Sequence, residues 1–310
     1  GTIYYKLTDR LIVDNNGNNA RSAALIAGDY HFDTIELKRY GHLNVLGTTS
    51  KLTLTNTNGA TGDGTSALSV EGELNTPPTF VIQNVTLDAK GKLTGATDLT
   101  IGTSLGGNAA GLVLRVGTTL HPTNKYNFNS VLVNPTGRMT LVPKNDGNTD
   151  YTDDEPFELD AVTLTVAAGG VIESNGLGYG SESGPGKGAH IAGSFAQAGG
   201  GGYGGLGGSG GGNSAVSGDV YGDVKIPISL GSGGGNMSAS GTGGAGGGAI
   251  RMVITGTLTI NGTLSANGAN GCPCDLEAGG GGSGGSVSIK ANALVGSGTI
   301  QANGGDGGPT

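Results

Sequence analysis

A chain of 310 residues with 13% charged side chains, 5% aromatics and no tryptophan lacks the material for a large aromatic core. Its net charge of −8 leaves no basic stripe for a phosphate backbone, so nucleic acid is not an expected partner. No apolar run reaches about 18 residues, so no membrane-spanning helix is expected, and the 66 glycines come without the Gly-X-Y period of collagen.

In chain order, TIYYKL near the start reads as a strand, followed by RLIVD. From there a phrase recurs: two β-formers one residue apart, a glycine, then another apolar residue. It runs Ile35, Leu37, Gly41, Leu43, then Val85, Leu87, Gly91, Leu93, then Val131, Val133, Gly137, Met139. A looser copy is Val162, Leu164, Gly169, Val171. A phenylalanine precedes each copy (Phe32, Phe80, Phe128, Phe157), and the first three stand 48 residues apart. KLTLTNT, DLTIGT and GLVLRVG fill the intervals with further alternating strands, so each period is expected to hold two turns of about 24 residues.

The stretch KNDGNTDYTDDEPFELD holds the densest acid cluster, with Asp146, Asp150, Asp153, Asp154 and Glu155 at its centre. Clustered carboxylates with asparagine and backbone oxygens are the donor set of Ca²⁺, although the spacing matches neither an EF-hand nor a nonapeptide calcium repeat. A solvated acidic loop is the other reading of the same residues.

Beyond residue 168 the vocabulary turns to glycine. TINGTLSANGANG and VGSGTIQANGGDG align with Asn267 opposite Asn303, 36 residues apart, and GGVIESNGLGYG is an earlier copy. A glycine tract and then a strand precede each later copy, over Ile250–Ile254 and Val287–Lys290. DVKIPISLG is expected to be another strand. A tract such as AGGGGYGGLGGSGGGNSA (198–215) cannot bury side chains. It is either a mobile loop or an extended, polyproline-II-like segment packed closely on its neighbours, with Tyr179, Tyr203 and Leu206 as pegs.

Short strands, turn residues every few positions and no amphipathic helix period indicate an all-β chain. A period of tens of residues indicates stacked coils. The expected fold is a parallel β-solenoid, right-handed by the general chirality of strand crossovers. Residues 1–168 would form the 48-residue repeats, and 169–310 a glycine-rich continuation.

Catalytic motifs are not legible. Basic residues are few and scattered, no G-x-S-x-G elbow occurs, and G-x-G-x-x-G matches carry no meaning in text this rich in glycine. His31, His42, His121 and His190 are far apart in sequence, though His31 and His42 are placed to meet across one turn. Cys272 and Cys274, two apart, are too few for a zinc site. A small-loop disulfide, a bond to another chain and free thiols all remain open.

The text GGGGSGGSVSIKANALVGSGTIQANGGDGG followed by GTIYYKLTDRLIVDNNG resembles the glycine-rich repeats of very large prokaryotic surface and secreted proteins. The likeness covers Val171–Thr310 and Gly1–Gly17 and implies an extracellular, structural or adhesive solenoid without catalytic residues. A weaker likeness is to phage tail-tip adhesins with bundled polyglycine helices. The expected role is therefore an extracellular subunit joined head to tail to copies of itself or to flanking repeats. Gly1, Ile3, Tyr4, Tyr5, Leu11 and Val13 would meet Ile300, Asn303 and Asp306 across the junction. A glycan-binding module using Tyr4, Tyr5, Tyr30 and Tyr40, or a polysaccharide lyase or hydrolase, are the alternatives. No cofactor is required, calcium excepted as above.

Overall fold

The computed structural model describes residues 1–18, 22–104, 107–190, 198–210, 216–237, 241–274 and 277–308; residues 211–215 of the longest glycine tract lie outside this set. The chain is all-β with parallel sheets, and three walls enclose one apolar interior. The first wall has ten strands. It opens with the hairpin Thr2–Tyr5 and Arg10–Asp14 and ends with Ala249–Ile260 and Ser286–Val295. The second has nine strands, from Ser22–Leu25 to Thr299–Gln301. The third has four: Asp29–Phe32, Lys51–Leu54, Glu73–Asn75 and Lys92–Thr94. Among the described residues, apart from the opening hairpin and the short ribbon Pro273–Cys274 with Glu277–Ala278, every strand pair is parallel.

Strand alternation explains why this sequence takes this form. Side chains two apart share a face, so every second residue enters the interior, where the register stacks it on its counterpart one turn away. One column runs Leu11, Ile35, Ala60, Ile82, Ile101, Val133, Val166, Ile260, and all eight are buried. On the second wall Leu43, Leu68, Leu87, Leu112, Met139, Ile172 and Leu264 form another buried column. Each fully buried Leu or Ile contributes about 2 kcal/mol, so the interior rests on many equal, local contributions. Outward positions carry charges that pair between turns: Arg10 with Glu36, Lys51 and Lys92 with Glu73, Arg115 with Asp88, and Arg138 with Glu173.

The return to the same wall is not a fixed step of about 24 residues, two to each 48-residue period. Along the first column it takes 24, 25, 22, 19, 32, 33 and finally 94 residues. Ile35 and Leu37 lie on the first wall, their supposed equivalents Val85 and Leu87 at and after the bend into the second, and Val131 and Val133 on the first again. Val162 is exposed. The recurring phrase records the local strand-turn-strand pattern, which is alike at every corner of the prism, and does not mark which corner. His31 and His42 accordingly fall on different walls.

After residue 94 the third wall is replaced by longer connections, and the two glycine-rich ones, from Glu173 to Ala249 and from Ser265 to Ser286, are the longest. They are neither loose nor a sheet. Residues 278–286 are hydrogen-bonded through the backbone to five other segments. The bonds are Gly201 N–H to Gly281 O (2.9 Å), Gly280 N–H to Gly235 O (3.0 Å), Gly244 N–H to Gly280 O (2.8 Å), Gly282 N–H to Ala269 O (2.9 Å) and Gly305 N–H to Gly282 O (2.8 Å). A strand in a sheet pairs with two neighbours at most, in one plane. The five surrounding segments are also bonded to one another in sequence round this centre, by Gly235 to Gly199, Gly231 to Gly247, Ala269 to Ala245 and Gly268 to Asn303, each 2.8 Å from N to O. Glycine is obligatory in such packing. At Gly246 a Cβ would overlap the carbonyl group of Gly231, and at Gly285 that of Gly248.

Of the proposed pegs, Tyr179 is buried with Leu230 and Ala249, and Tyr203 meets Tyr221 edge-on at 5.0 Å, but Leu206 is exposed. DVKIPISLG forms no strand. Pro227 lacks the N–H a ladder needs, and Val220, Val224 and Ile226 are exposed. Arg251, which follows the long glycine excursion, reaches back to the buried Glu158 before it at 2.6 Å, and Lys125 bonds the same carboxylate from the other side at 2.5 Å.

Candidate functional site

Three features stand out as places where function can reside: the two ends of the stack, the glycine bundle, and the acidic loop.

At the first end the opening strand turns back. Thr2–Tyr5 pairs antiparallel with Arg10–Asp14, through a short helical turn at Lys6–Thr8 and a left-handed Asp9. The strand TIYYKL therefore sits on its own first turn rather than waiting for one from elsewhere. Ile3, Tyr4, Tyr5 and Leu7 are exposed there. Leu11 and Val13, expected at a junction, are buried as the first members of the interior columns. Gly1 hydrogen-bonds Asp14, and Asp14 accepts two bonds from Arg39, which together with the Asn16 N–H hold its carboxyl down at about 2.

At the other end the columns simply stop. Leu294 lies on Leu258 and Ile300 on Leu264, in register with buried positions, yet they are 54% and 42% exposed. Val287, Ile289 and Ala291 are only partly buried. An asparagine ladder ends on the same face. The Asn175 side-chain oxygen accepts the Asn267 N–H (2.7 Å), and the Asn267 oxygen accepts the Asn303 N–H (2.8 Å). Asn270 likewise accepts the Asp306 N–H at 2.9 Å. The alignment of Asn267 with Asn303 is thus a real stacking relation.

The glycine bundle bounds a groove of about 510 Å³ lined almost wholly by glycine backbone. Tyr203 carries its only titratable side chain among the described residues. A second, smaller cavity of about 320 Å³ lies between Tyr203, Tyr221 and the exposed Val220 and Val224. Burial pushes the Tyr221 and Tyr203 hydroxyls up, away from any role as a base.

In the acidic loop, Asp146, Asp153 and Asp154 bring carboxylate oxygens within 4.8 Å of one another. Asp150 and Glu155 stand apart: Asp150 caps Thr152 through N–H and hydroxyl, while Glu155 makes a backbone bridge to Lys144. Burial and the neighbouring charges of Asp146 and Asp153 raise the Asp154 carboxyl, which takes a hydrogen bond from Tyr179. The Lys144 ammonium donates to the Asp153 carbonyl at 2.6 Å and lies 3.5 Å from its carboxylate, so a cation already serves the cluster.

Cys272 is disulfide-bonded, and the sequence has one other cysteine, Cys274. Its N–H bonds the Thr242 carbonyl (2.8 Å), so the small loop is tied to the bundle. Of the histidines, His121 stacks on Tyr126 at 4.2 Å and His190 pairs with Glu182. Among the described residues no helix is long and apolar enough to cross a membrane. What the residue-by-residue reading missed is the groove, because its walls come from segments about 75 and 100 residues apart and carry no side-chain signature. No protein-family model matches the chain, and neither the curated proteins nor the solved structures contain a match to it.

Proposed function

We propose that the chain is a parallel β-solenoid, right-handed by the usual crossover rule, whose glycine tracts form a bundle of three-residue-per-turn extended helices along its third side. Its role is structural and extracellular: it joins end to end with copies of itself or with flanking repeats of the same kind, and performs no catalysis. The observation that carries this reading is the termination of the interior columns at Leu294 and Ile300, half-exposed side chains in positions that are buried in every earlier complete turn. A further turn stacked there would bury them, take the free edges of Ser286–Val295 and Thr299–Gln301, and give the Asn303 oxygen the N–H donor that Asn175 and Asn267 already have. Edges of this kind invite pairing, and a contact between unlike ends generates a fibre rather than a closed ring. On the opposite end the exposed Ile3, Tyr4 and Tyr5 offer the apolar surface.

Ten strands at about 4.8 Å predict an axial repeat of about 48 Å per copy. Electron microscopy of the purified chain at rising concentration tests this. Rods with that repeat support the reading, and strict monomers at high concentration overturn self-stacking. A second reading, a binding module, draws support from the exposed Val220, Val224 and Ile226 beside the Tyr203–Tyr221 cavity; a glycan array without hits would remove it.

A further inference from the structure

We infer that the groove beside residues 278–286 is an empty position in the glycine bundle, built to receive an extended glycine-rich segment of another polypeptide. This rests on reading the glycine tracts as three-residue-per-turn extended helices. Packed side by side, such helices fill a hexagonal array in which an interior member has six neighbours. Among the described residues, 278–286 have five, and those five follow one another round the centre as 198–208, 229–237, 241–248, 265–272 and 301–308. Of the successive pairs round this ring, only 301–308 and 198–208 share no bond among the described residues, and the 510 Å³ groove lies between these two, over the central segment.

On the floor and on one wall of the groove, unpartnered N–H groups stand three residues apart. The N–H groups of Gly281 and Gly284 on the floor and of Gly304 and Gly307 on one wall have no partner among the described residues; on the other wall, past a bend at residues 203–205, those of Gly204, Gly205, Leu206 and Gly208 have none either. In a helix with three residues per turn, positions three apart share one face. An incoming segment of the same form presents one row of carbonyls to each of three sides and satisfies both pairs, with a third row facing the N–H groups of 204–208.

The choice of glycine points the same way. Within the bundle a Cβ at almost every glycine would strike neighbouring backbone, so the fold itself demands glycine. Eight glycines whose surroundings are described have room for a side chain and no positive φ: Gly1, Gly28, Gly180, Gly204, Gly205, Gly208, Gly304 and Gly307. The last five line this one groove. Nothing among the described residues requires glycine there, whereas a backbone packed at bundle distance does. An alanine-bearing segment cannot approach so closely, which makes glycine-rich chemistry the selection rule.

The test uses the full chain and a labelled peptide, acetyl-GGGSGGGSGGGS-amide, with its all-alanine counterpart AAASAAASAAAS as control. Saturable binding of the glycine peptide alone is expected, together with slowed amide exchange at Gly281, Gly284, Gly304 and Gly307. Gly208→Leu and Gly304→Leu fill the groove where space is open, and each is expected to weaken binding by about tenfold or more while leaving the melting temperature unchanged. No saturable binding at millimolar peptide, equal binding of the alanine peptide, or undiminished binding by both variants would overturn the proposal. Amide exchange without peptide separates this from failure of the bundle reading: protected amides at Gly231, Gly247 and Gly282 leave the bundle intact even if the groove stays empty. If either variant misfolds, the exchange measurement on the unaltered chain decides alone.

Discussion

Substituting Gly247 by alanine tests whether close backbone contact holds the glycine half together. A Cβ there would overlap the Ala266 carbonyl and lie 2.6 Å from the Gly285 nitrogen. Both obstacles are backbone of other segments, so no flexible side chain can yield. Relief requires segments to separate, which endangers the bonds from Gly247 N–H to Ser283 O (2.9 Å) and from Gly231 N–H to Gly247 O (2.8 Å). Each bond is worth about 0.5–1.5 kcal/mol net, and forced overpacking adds about 1–3 kcal/mol. Alanine restricts the unfolded chain and returns about 0.4–1 kcal/mol. The expected net loss is about 3 kcal/mol. Gly208→Ala is the control: nothing lies within 4 Å of its Cβ, so only the favourable unfolded-state effect remains. A long stacked array need not unfold in one step, so local amide exchange at Gly231 and Gly247 should accompany urea denaturation. Equal stability and equal exchange in the two variants would refute the close-packing explanation of the glycine content.

Other outcomes follow from single features. Leu87→Ala, in the middle of a fully buried column, should cost about 2–5 kcal/mol by denaturant unfolding, whereas Val162→Ala on the exposed face should change stability by less than about 0.5 kcal/mol. Asp14 is held at about 2 by Arg39, so its pairing stabilises the first turn above about pH 4, the unfolded value, and that stabilisation is lost as pH falls through about 2. Amide exchange at Asn15–Gly17 should accelerate over that window, and Asp14→Asn should show the fast exchange at neutral pH. Because Lys144 already serves Asp153, millimolar calcium should leave the melting temperature of the intact chain unchanged and raise it in Lys144→Met; a calcium-dependent intact chain would contradict this. Leu294→Lys should abolish end-to-end rods without changing the melting temperature, since its side chain is already half exposed.

Much of the architecture was legible because strand alternation and turn chemistry are local. Leu52, Leu54, Leu99 and Ile101 announce their inward face through the residues beside them, and all four are buried. The pairing of Asn267 with Asn303 was readable because two turns of equal length repeat one phrase. The wall to which a phrase belongs was not readable: Ile35 and Val85 hold the same place in the recurring phrase and different places in the prism. The turned-back first strand was equally hidden, since antiparallel and parallel pairing draw on the same residues and only the Lys6–Asp9 turn selects between them.

The sequence by itself determined that the chain is all-β, that every second residue faces an interior built of Leu, Ile and Val, and that the glycine tracts of the second half cannot bury side chains. These follow from the two-residue period of a strand and from glycine having no side chain to bury. Only the tertiary structure decided what the glycine does. Whether a tract lies loose or is packed depends on which other tract comes within hydrogen-bonding distance, and those partners lie up to about a hundred residues away with no side chain to mark them. The same holds for the groove beside residues 278–286: five neighbours and one side unfilled among the described residues are properties of an arrangement, and no single segment carries them.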